Sequence, residues 1–157
     1  MNAVPPSNPP FTIRRLGPRD EPAARALNAF FAIAFDDAEH YASAPPPDAY
    51  LERWLASPDA YALAALDGGE VVGGLTAYRL PKLEQARSEI YLYDLAVAES
   101  HRRRGIATAL IRELQRLGAE TDAWVVFVQA DPEDTPAVAL YTKLGTREDV
   151  FHFDLEN

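Results

Sequence analysis

The sequence predicts a single α/β domain in which strands and helices share one core. Two observations carry this prediction: short alternating or β-branched segments recur along the chain, and amphipathic segments at helical spacing stand between them. The 157 residues can bury one sizeable core, and a composition of 48% hydrophobic and 25% charged residues is typical of a globular protein. We expect one domain over residues 11–157 after a loose, proline-rich tail over residues 1–10.

The first half of the chain contains short elements separated by proline and glycine. FTIRRL alternates as a strand does, whereas PRDEPAARALNAFFAIAF carries an apolar face at helical spacing. The glycines after Asp67 supply the positive φ that a tight hairpin turn needs. The predicted elements are a strand over 11–16, a helix over 18–35, a loop over 36–47, a helix over 48–57, and hairpin strands over 61–66 and 70–80.

The second half alternates strands with helices. An aromatic and β-branched strand over 88–99 precedes a helix that starts near Gly105 and has a plausible stop at Gly118. AWVVFVQA, over 123–130, is almost continuously apolar, which is typical of a strand buried on both faces. A helix with Thr135 as its N-cap then runs to Gly145, and an alternating strand over 148–155 closes the chain.

The chain is acidic and contains no cysteine. A formal net charge of -9 and a pI of about 4.7 argue against broad nucleic-acid binding, which needs a basic face. The lack of cysteine excludes disulfides, thiolate metal sites and a cysteine nucleophile. The charge fits a cationic partner, because acidic clefts concentrate cations; the alternative is that it only keeps the protein soluble.

The sequence gives no sign of a membrane or metal partner. No apolar run approaches the roughly 20 residues that span a bilayer, and MNAVPPSNPP lacks the basic and apolar regions of a signal peptide. We therefore expect a cytoplasmic protein without a membrane partner. His40, His101 and His152 lack metal-ligand spacing, so we expect no metal and interpret all three as structural or surface residues.

The segment HRRRGIATALIREL, residues 101–114, places a basic run between a predicted strand and a predicted helix. A helix amino terminus presents unpaired backbone N–H groups and the positive end of the helix dipole. Gly105 lets the backbone approach a ligand and Thr108 adds a hydroxyl, so this junction can hold a phosphate or pyrophosphate. The alternative is a solvated basic turn before an ordinary amphipathic helix.

Two segments resemble signatures of the GNAT acetyltransferase superfamily. RRRGIA, residues 102–107, is similar to its R/Q-x-x-G-x-G/A motif, and AVALYTKLG, residues 137–145, resembles its A-x-x-L-Y-x-K-x-G segment. The resemblance implies a central mixed, mostly antiparallel sheet flanked by helices, with acetyl-CoA as co-substrate and no metal. It also implies a site for the coenzyme pyrophosphate at Arg102, Arg103, Arg104, Gly105, Ile106, Ala107 and Thr108.

From about residue 62 to residue 155 the chain further resembles the type I aminoglycoside 3-N-acetyltransferases, in YRLPKLEQARSEIYLYDLAV, HRRRGIATALI, VQAD and PAVALYTKLG. This resemblance implies direct acetyl transfer to the 3-amino group of a deoxystreptamine antibiotic such as gentamicin, and hence antibiotic resistance. Arg104 stands where related sequences often carry glutamine, a conservative change because only the backbone there need contact phosphate. Relatives are often dimers, which leaves a homodimer open.

The resemblance also assigns residues to the coenzyme. It places Tyr141 at the coenzyme sulfur, where a phenol can donate a proton to the departing thiolate; the alternative is a tyrosine packed in the core. It places the backbone of Leu95, Ala96 and Val97 along the pantetheine arm.

An attacking amine must lose a proton, so the site needs a base. Asp94 and Glu89 are candidates to accept that proton directly or through water, the alternative being that both are solvated or structural carboxylates. Regular alternation puts Glu89, Tyr91 and Tyr93 on one face of the strand and Asp94 on the other, unless a bulge intervenes.

A polycationic acceptor should bind in acidic surroundings. Asp36, Asp37 and Glu39 follow the first predicted helix, where such enzymes often build the acceptor wall. The other candidates are Glu84, Glu89, Asp94, Asp131, Glu133, Asp134 and Asp154, each of which could instead be a surface charge. Two further functions stay open: acetylation of another amine, such as a polyamine or a protein N-terminus, and a non-catalytic acyl-CoA-binding module.

Overall fold

Five strands and five helices follow one another along residues 10–157, the part of the chain that this computed structural model describes. The strands are β1 (Thr12–Arg15), β2 (Ala60–Asp67), β3 (Glu70–Pro81), β4 (Ser88–Val97) and β5 (Ala123–Val128). The helices are α1 (Glu21–Ala34), α2 (Ala38–Ala42), α3 (Asp48–Ala56), α4 (Ile106–Ala119) and α5 (Thr135–Leu144), with a 3-10 turn at Glu99–His101. The predicted tail lies outside the described residues, except for Pro10.

The strands form one sheet in the order β1-β2-β3-β4-β5. Neighbours from β1 to β4 are antiparallel, and β5 runs parallel to β4, which confirms the mixed, mostly antiparallel sheet. Gly68 and Gly69 have φ values of +57° and +85° in the turn between β2 and β3, as the predicted hairpin requires.

Two buried clusters hold the helices on opposite faces of the sheet. Alternate residues of β2 belong to different clusters, because successive side chains of a strand point to opposite faces. Helix α4 covers one face and buries Ile106, Leu110 and Leu114. Helices α1 and α3 cover the other face, where Leu27 and Phe31 are buried. Each of these side chains contributes roughly 1.5–3 kcal/mol when it leaves water.

Two helix ends differ from the prediction. Gly118 does not stop α4, which continues to Ala119; its glycine instead allows close packing, since a Cβ there would lie 2.8 Å from Ile90 Cδ1. Asp134, rather than Thr135, caps α5, because its carboxylate accepts a hydrogen bond from the Ala137 amide at 3.2 Å.

The segment predicted as a loop over 36–47 contains the short helix α2. The Asp37 side chain caps it by accepting a hydrogen bond from the amide of His40 at 3.2 Å. Five residues are too few for hydrophobic periodicity to reveal a helix, so the cap was the one local signal of it.

The predicted strand over 148–155 is wrong. Residues 145–157 form no strand, and within the described residues no backbone hydrogen bond joins them to β5. The predicted burial of β5 on both faces is wrong as well, because β5 pairs with β4 alone and Trp124 and Val125 are exposed. Alternation indicates which face a strand would bury but does not provide the neighbouring strand that it needs.

Gly74 on β3 permits the close approach of α1. A Cβ at this position would clash with the buried Leu27 side chain and would lie 2.8 Å from the Leu63 carbonyl oxygen. We expect Gly74→Ala to lower the free energy of unfolding by about 1–3 kcal/mol, measured by urea denaturation. Gly17→Ala is the control: its nearest neighbour would be an Asp20 oxygen at 4.0 Å, and we expect a change within about 0.5 kcal/mol. Equal stabilities for the two variants would contradict this packing account.

Candidate active site

Strands β4 and β5 separate halfway along β4. Their pairing begins with Ser88 opposite Ala123 and ends with Leu92 opposite Val128, while β4 continues to Val97 beside β3. In the described structure, the edge of β4 beyond Leu92 that faces away from β3 therefore has no strand partner. Its backbone N–H and C=O groups are available to a ligand. Leu95, Ala96 and Val97 lie on this open edge, at the positions predicted for the pantetheine arm.

A β-bulge at Tyr93 determines where the Asp94 side chain points. Thr76 and its neighbour on β3 pair with Asp94 and Leu92, so Tyr93 is an extra residue in β4. Without the bulge Asp94 would share the face of Leu92, which is buried against α4. The sequence predicted that Asp94 and Tyr93 lie on different faces of the strand unless a bulge intervenes. The bulge is present, and Asp94 shares the face of Tyr91 and Tyr93.

Two hydroxyl groups hold the Asp94 carboxylate. Tyr41 of α2 donates to one carboxylate oxygen at 2.5 Å, and Thr76 of β3 donates to the other. Burial, and to a smaller extent the hydrogen bond to Asp94, raises the pKa of Tyr41 far above its usual value. The Tyr41 hydroxyl therefore keeps its proton and remains a donor. The carboxylate is fixed in orientation and keeps lone pairs that can accept further protons or hydrogen bonds.

Sequence reasoning missed both partners of Asp94. The contact with Tyr41 spans 53 positions of the chain and starts from a helix that was predicted as a loop. Thr76 was seen only as part of a hairpin strand, and its position opposite Asp94 depends on the bulge.

Five aromatic side chains extend across the same face as Asp94, and we call them the aromatic row. Centroids of neighbouring rings lie 4.8–6.0 Å apart. Aromatic faces attract organic cations and pack against apolar surfaces of a ligand. The sequence showed only the two tyrosines of β4 as a pair, because the others come from different elements. From α3 to β5 the row consists of Trp54, Tyr78, Tyr93, Tyr91 and Phe127.

Helix α4 begins with Gly105 in a left-handed conformation, at φ +80°. A Cβ there would meet nothing within 4 Å, so the backbone conformation, rather than lack of space, favours glycine. The helical hydrogen bonds begin with the Ala109 amide donating to Gly105 at 2.9 Å. The amides of Ile106, Ala107 and Thr108 consequently have no acceptor within the helix.

The basic turn before α4 is tied to the hairpin of β2 and β3. His101 Nε2 lies 3.0 Å from an Asp67 carboxylate oxygen, and His101 Nδ1 lies 2.8 Å from Ser100 Oγ. The side chains of Arg102, Arg103 and Arg104 are exposed beside the start of the helix. The turn thus presents three guanidinium groups next to unpaired amides.

Tyr141 of α5 is partly buried against the cluster that α4 covers. Burial, and to a smaller extent the negative charge of Asp134, raises the pKa of Tyr141 to about 12. The phenol is therefore neutral at physiological pH and can act as an O–H donor.

The other carboxylate candidate for the base lies elsewhere on β4. Glu89 is five residues before Asp94, which corresponds to roughly 15 Å along a strand. Arg87 lies 3.9 Å from Glu89 and 3.0 Å from Glu84, so both carboxylates belong to an ion-pair group at the start of β4. The structure does not bring Glu89 or Glu84 to the opening between β4 and β5.

The remaining acidic candidates fall into two groups. Asp36, Asp37 and Glu39 lie beside or within α2, and Asp37 is close enough to Tyr41 for its charge to act on that hydroxyl. A hydrogen bond from His40 lowers the pKa of Asp37. The second group is exposed around α5 and in the segment after it, and consists of Asp131, Glu133, Asp134 and Asp154.

Among residues 10–157, no three His, Cys, Asp or Glu side chains are grouped so that they could hold a metal ion. No helix in that range is long and apolar enough to cross a bilayer.

Residues 27–146 match the model of the acetyltransferase (GNAT) family. The match covers well over half of the chain, which therefore belongs to this family of acetyl-transferring enzymes. The sheet with its separating strands and the helix that follows the basic turn are the GNAT fold that the motifs implied.

Three proteins to which this chain is similar are named as acetyltransferases. The crystal structure of aminoglycoside acetyltransferase HMB0005, from an uncultured soil metagenomic sample, is 55% identical with a TM-score of 0.92; the match covers 94% of this chain and 98% of that one. Aminoglycoside acetyltransferase meta-AAC0020, from the same kind of sample and in complex with sisomicin, is 30% identical with a TM-score of 0.86, over 94% and 96% of the two chains. An N-alpha-acetyltransferase of Sulfurisphaera tokodaii is 33% identical over 110 residues, and the chain spans 63% of that relative's length.

The raised pKa of Tyr141 predicts a pH-dependent stability. Between the usual pKa near 10 and the folded value of about 12, Tyr141 ionises in the unfolded chain but not in the folded one. Stability is therefore lost as the pH rises through this window, and Tyr141→Phe removes that loss. Because the ring is only partly buried and solvent screens it, the loss is on the order of 1 kcal/mol. Urea denaturation at several pH values measures it, with Tyr50→Phe, an exposed tyrosine on α3, as the control. Parallel pH curves for Tyr141→Phe and wild type would contradict the assignment.

Proposed function

We propose that the chain is an aminoglycoside 3-N-acetyltransferase, which transfers acetyl from acetyl-CoA directly to the 3-amino group of an antibiotic such as gentamicin. The observation that carries the proposal is the position of Asp94, held by two hydroxyls beside the opening of β4 and flanked by the aromatic row. The likeness to two aminoglycoside acetyltransferases of soil origin supports it. We further propose a role in antibiotic resistance, within the cytoplasm.

The residues at the start of α4 fit the donor. A pyrophosphate suits the unpaired amides of Ile106, Ala107 and Thr108, which the left-handed Gly105 leaves unobstructed. The exposed Arg102, Arg103 and Arg104 add charge-assisted contacts. The pantetheine arm carries amides that can hydrogen-bond along the open edge at residues 95–97. When bound, acetyl-CoA supplies an acetyl group activated as a thioester.

The chain's own residues then have distinct tasks. Asp94 accepts a proton from the acceptor ammonium group, directly or through water, and leaves a neutral amine that can attack the acetyl carbonyl. Tyr41 and Thr76 orient Asp94 and do not themselves need to touch the amine. Tyr141, a neutral phenol at physiological pH, donates its proton to the departing sulfur. The attacking nitrogen becomes positively charged as the bond to the acetyl carbon forms, and the second proton that it then loses passes through water and restores the neutral phenol. No covalent enzyme intermediate is needed.

The acceptor side combines negative charge with aromatic surface. Asp94 contributes charge beside the exposed Tyr93 of the aromatic row, and Asp36 and Asp37 contribute it from the start of α2. The loop before α5 and the segment after it add further carboxylates at Asp131, Glu133, Asp134 and Asp154. A polycationic sugar can pair its ammonium groups with these carboxylates and lay its ring faces on the row. We assign Glu84 and Glu89 to the ion-pair group with Arg87 instead.

A second candidate is acetylation of a peptide α-amino group. The relative from Sulfurisphaera tokodaii bears the name N-alpha-acetyltransferase, and its similarity to this chain favours this alternative. Such an acceptor is an amine as well, so the same base and acid would serve it.

Purified protein with acetyl-CoA and one acceptor at a time separates these functions. We expect thiol release with gentamicin and sisomicin, and mass spectrometry and NMR should place one acetyl group on the 3-amino nitrogen. Release with a peptide or a polyamine but with no aminoglycoside would overturn the proposal. Coenzyme binding without turnover on any amine would favour a non-catalytic acyl-CoA-binding module.

The role of Asp94 predicts a specific kinetic effect. We expect Asp94→Asn to lower kcat about 100-fold or more, while the KM for acetyl-CoA stays nearly unchanged, because the donor binds along the open edge of β4 and not on the face that carries the Asp94 side chain. Glu89→Gln is the control on the same strand, for which we expect a change below about threefold. Steady-state kinetics with gentamicin measure both. A larger loss in Glu89→Gln than in Asp94→Asn would reverse the assignment of the base.

The backbone at Gly105 predicts a selective loss of coenzyme binding. Alanine at φ +80° costs about 1–2 kcal/mol of strain, so we expect Gly105→Ala to weaken coenzyme A binding about tenfold in calorimetry. Gly69→Ala is the matched control for Gly105→Ala. Gly69 has a φ of +85° and a Cβ there would meet nothing within 4 Å, but this glycine lies in the hairpin turn between β2 and β3. We expect this control to bind coenzyme A like wild type. An equal weakening in both variants would show that the effect is not specific to the start of α4.

A further inference from the structure

The turn between β4 and α4 does not hold its shape through local preference alone. It spans residues 99–105, and two of its residues, Arg103 at φ +61° and Gly105 at φ +80°, have left-handed backbone conformations. Glycine adopts that conformation freely, whereas a residue with a Cβ, such as Arg103, does so at an energetic cost. Contacts with the rest of the fold must therefore hold the turn.

Strand β3 holds the two ends of this turn. Before it, the Ala98 amide donates a hydrogen bond to the Val72 carbonyl oxygen at 2.8 Å. After it, Ile106 is buried, and a Cβ on Gly73 would lie only 3.0 Å from Ile106 Cγ2, so β3 and the start of α4 are in close contact. Residues 99–105 lie between these two anchors.

The middle of the turn is held by His101, the one side chain within residues 99–105 that is not exposed. Its Nε2 atom lies 3.0 Å from a carboxylate oxygen of Asp67, the last residue of β2, and its Nδ1 atom lies 2.8 Å from Ser100 Oγ. Because a carboxylate only accepts hydrogen bonds, we assign a proton to Nε2, which makes this a charge-assisted hydrogen bond. Among residues 10–157, no other side-chain hydrogen bond or ion pair joins the turn to the rest of the fold.

We infer that Asp67 and His101 are positioning residues for the coenzyme, although neither needs to touch it. Their contact fixes the middle of the turn, and with it the three guanidinium groups and the free amides at the start of α4. Charge alone predicts the opposite effect, because a carboxylate beside the basic turn repels a diphosphate. The two explanations therefore differ in sign. The inference rests on the donor site of the proposed function.

Calorimetric titration with coenzyme A compares wild type with two substitutions of Asp67. Asp67→Ala removes the acceptor for the His101 Nε2–H group, and we expect the Kd for coenzyme A to rise about tenfold. Asp67→Asn removes the same charge but keeps an acceptor oxygen, so we expect its Kd to stay within about threefold of the wild-type value. Glu70→Ala is the charge control, because Glu70 is exposed and lies opposite Asp67 in the hairpin. We expect its Kd to equal the wild-type value or to be lower.

The outcomes of this titration separate the inference from the proposed function. If wild type binds coenzyme A and Asp67→Ala binds it equally well or more tightly, the inference is overturned while the donor site stands. Equal weakening in Asp67→Ala and Asp67→Asn overturns it as well, since these variants differ in the hydrogen-bond acceptor and not in charge. Wild type that does not bind coenzyme A overturns both.

A double-mutant cycle tests whether Asp67 acts through His101. His101→Phe keeps an aromatic ring but removes both ring nitrogens, and we expect it to raise the Kd about as much as Asp67→Ala does. The two substitutions together should raise the Kd no further than either does alone, because both remove the same contact. Additive effects on the Kd would contradict the inference. The Asp67 side chain is 42% exposed, so we expect its variants to keep the wild-type circular dichroism spectrum.

Steady-state kinetics with gentamicin distinguish positioning of the coenzyme from a general loss of structure. We expect Asp67→Ala to raise the KM for acetyl-CoA, while kcat and the KM for gentamicin stay within about twofold of wild type. A lowered kcat at an unchanged KM for acetyl-CoA would contradict the inference.

Discussion

The separation of β4 from β5 after Leu92 is the constraint on which the rest of the site depends. Up to that residue β4 is paired on both edges, and beyond it β4 is held by β3 alone. The open edge exposes backbone donors and acceptors beside the amino terminus of α4. Two buried clusters support the sheet in which this edge arises, so the edge belongs to the folded sheet itself and not to a loop that a ligand would have to order.

The bulge at Tyr93 changes the face of β4 on which the Asp94 side chain lies. It turns Asp94 away from the core and toward the face where α2 supplies Tyr41 and the aromatic row begins. In the proposed function, the edge of β4 binds the donor and one of its faces binds the acceptor. The local charges follow this geometry: the exposed Arg102, Arg103 and Arg104 precede α4, whereas Asp94 and Asp37 lie close to Tyr41.

The parts of the fold that the sequence predicted are those with local signals. The hairpin was predictable from two glycines, and the start of α4 from the basic turn and Gly105. The partners of Asp94 were not predictable, because they depend on a contact over 53 positions and on a bulge that has no marker in the sequence. The segment over 148–155 shows the opposite limit, since its alternation is clear but no strand pairs with it within residues 10–157.

The proposed mechanism places the donor along the edge of β4 and the acceptor on one of its faces. A nitrogen–proton NMR titration of the wild-type protein, first with coenzyme A and then with sisomicin, tests it most directly. We predict that coenzyme A shifts the amide resonances of residues 95–97 and 105–108. Sisomicin, added next, should shift the amide resonances of Tyr41 and residues 91–94 without displacing coenzyme A. Shifts of the same amides by both ligands, or displacement of one by the other, would contradict the account.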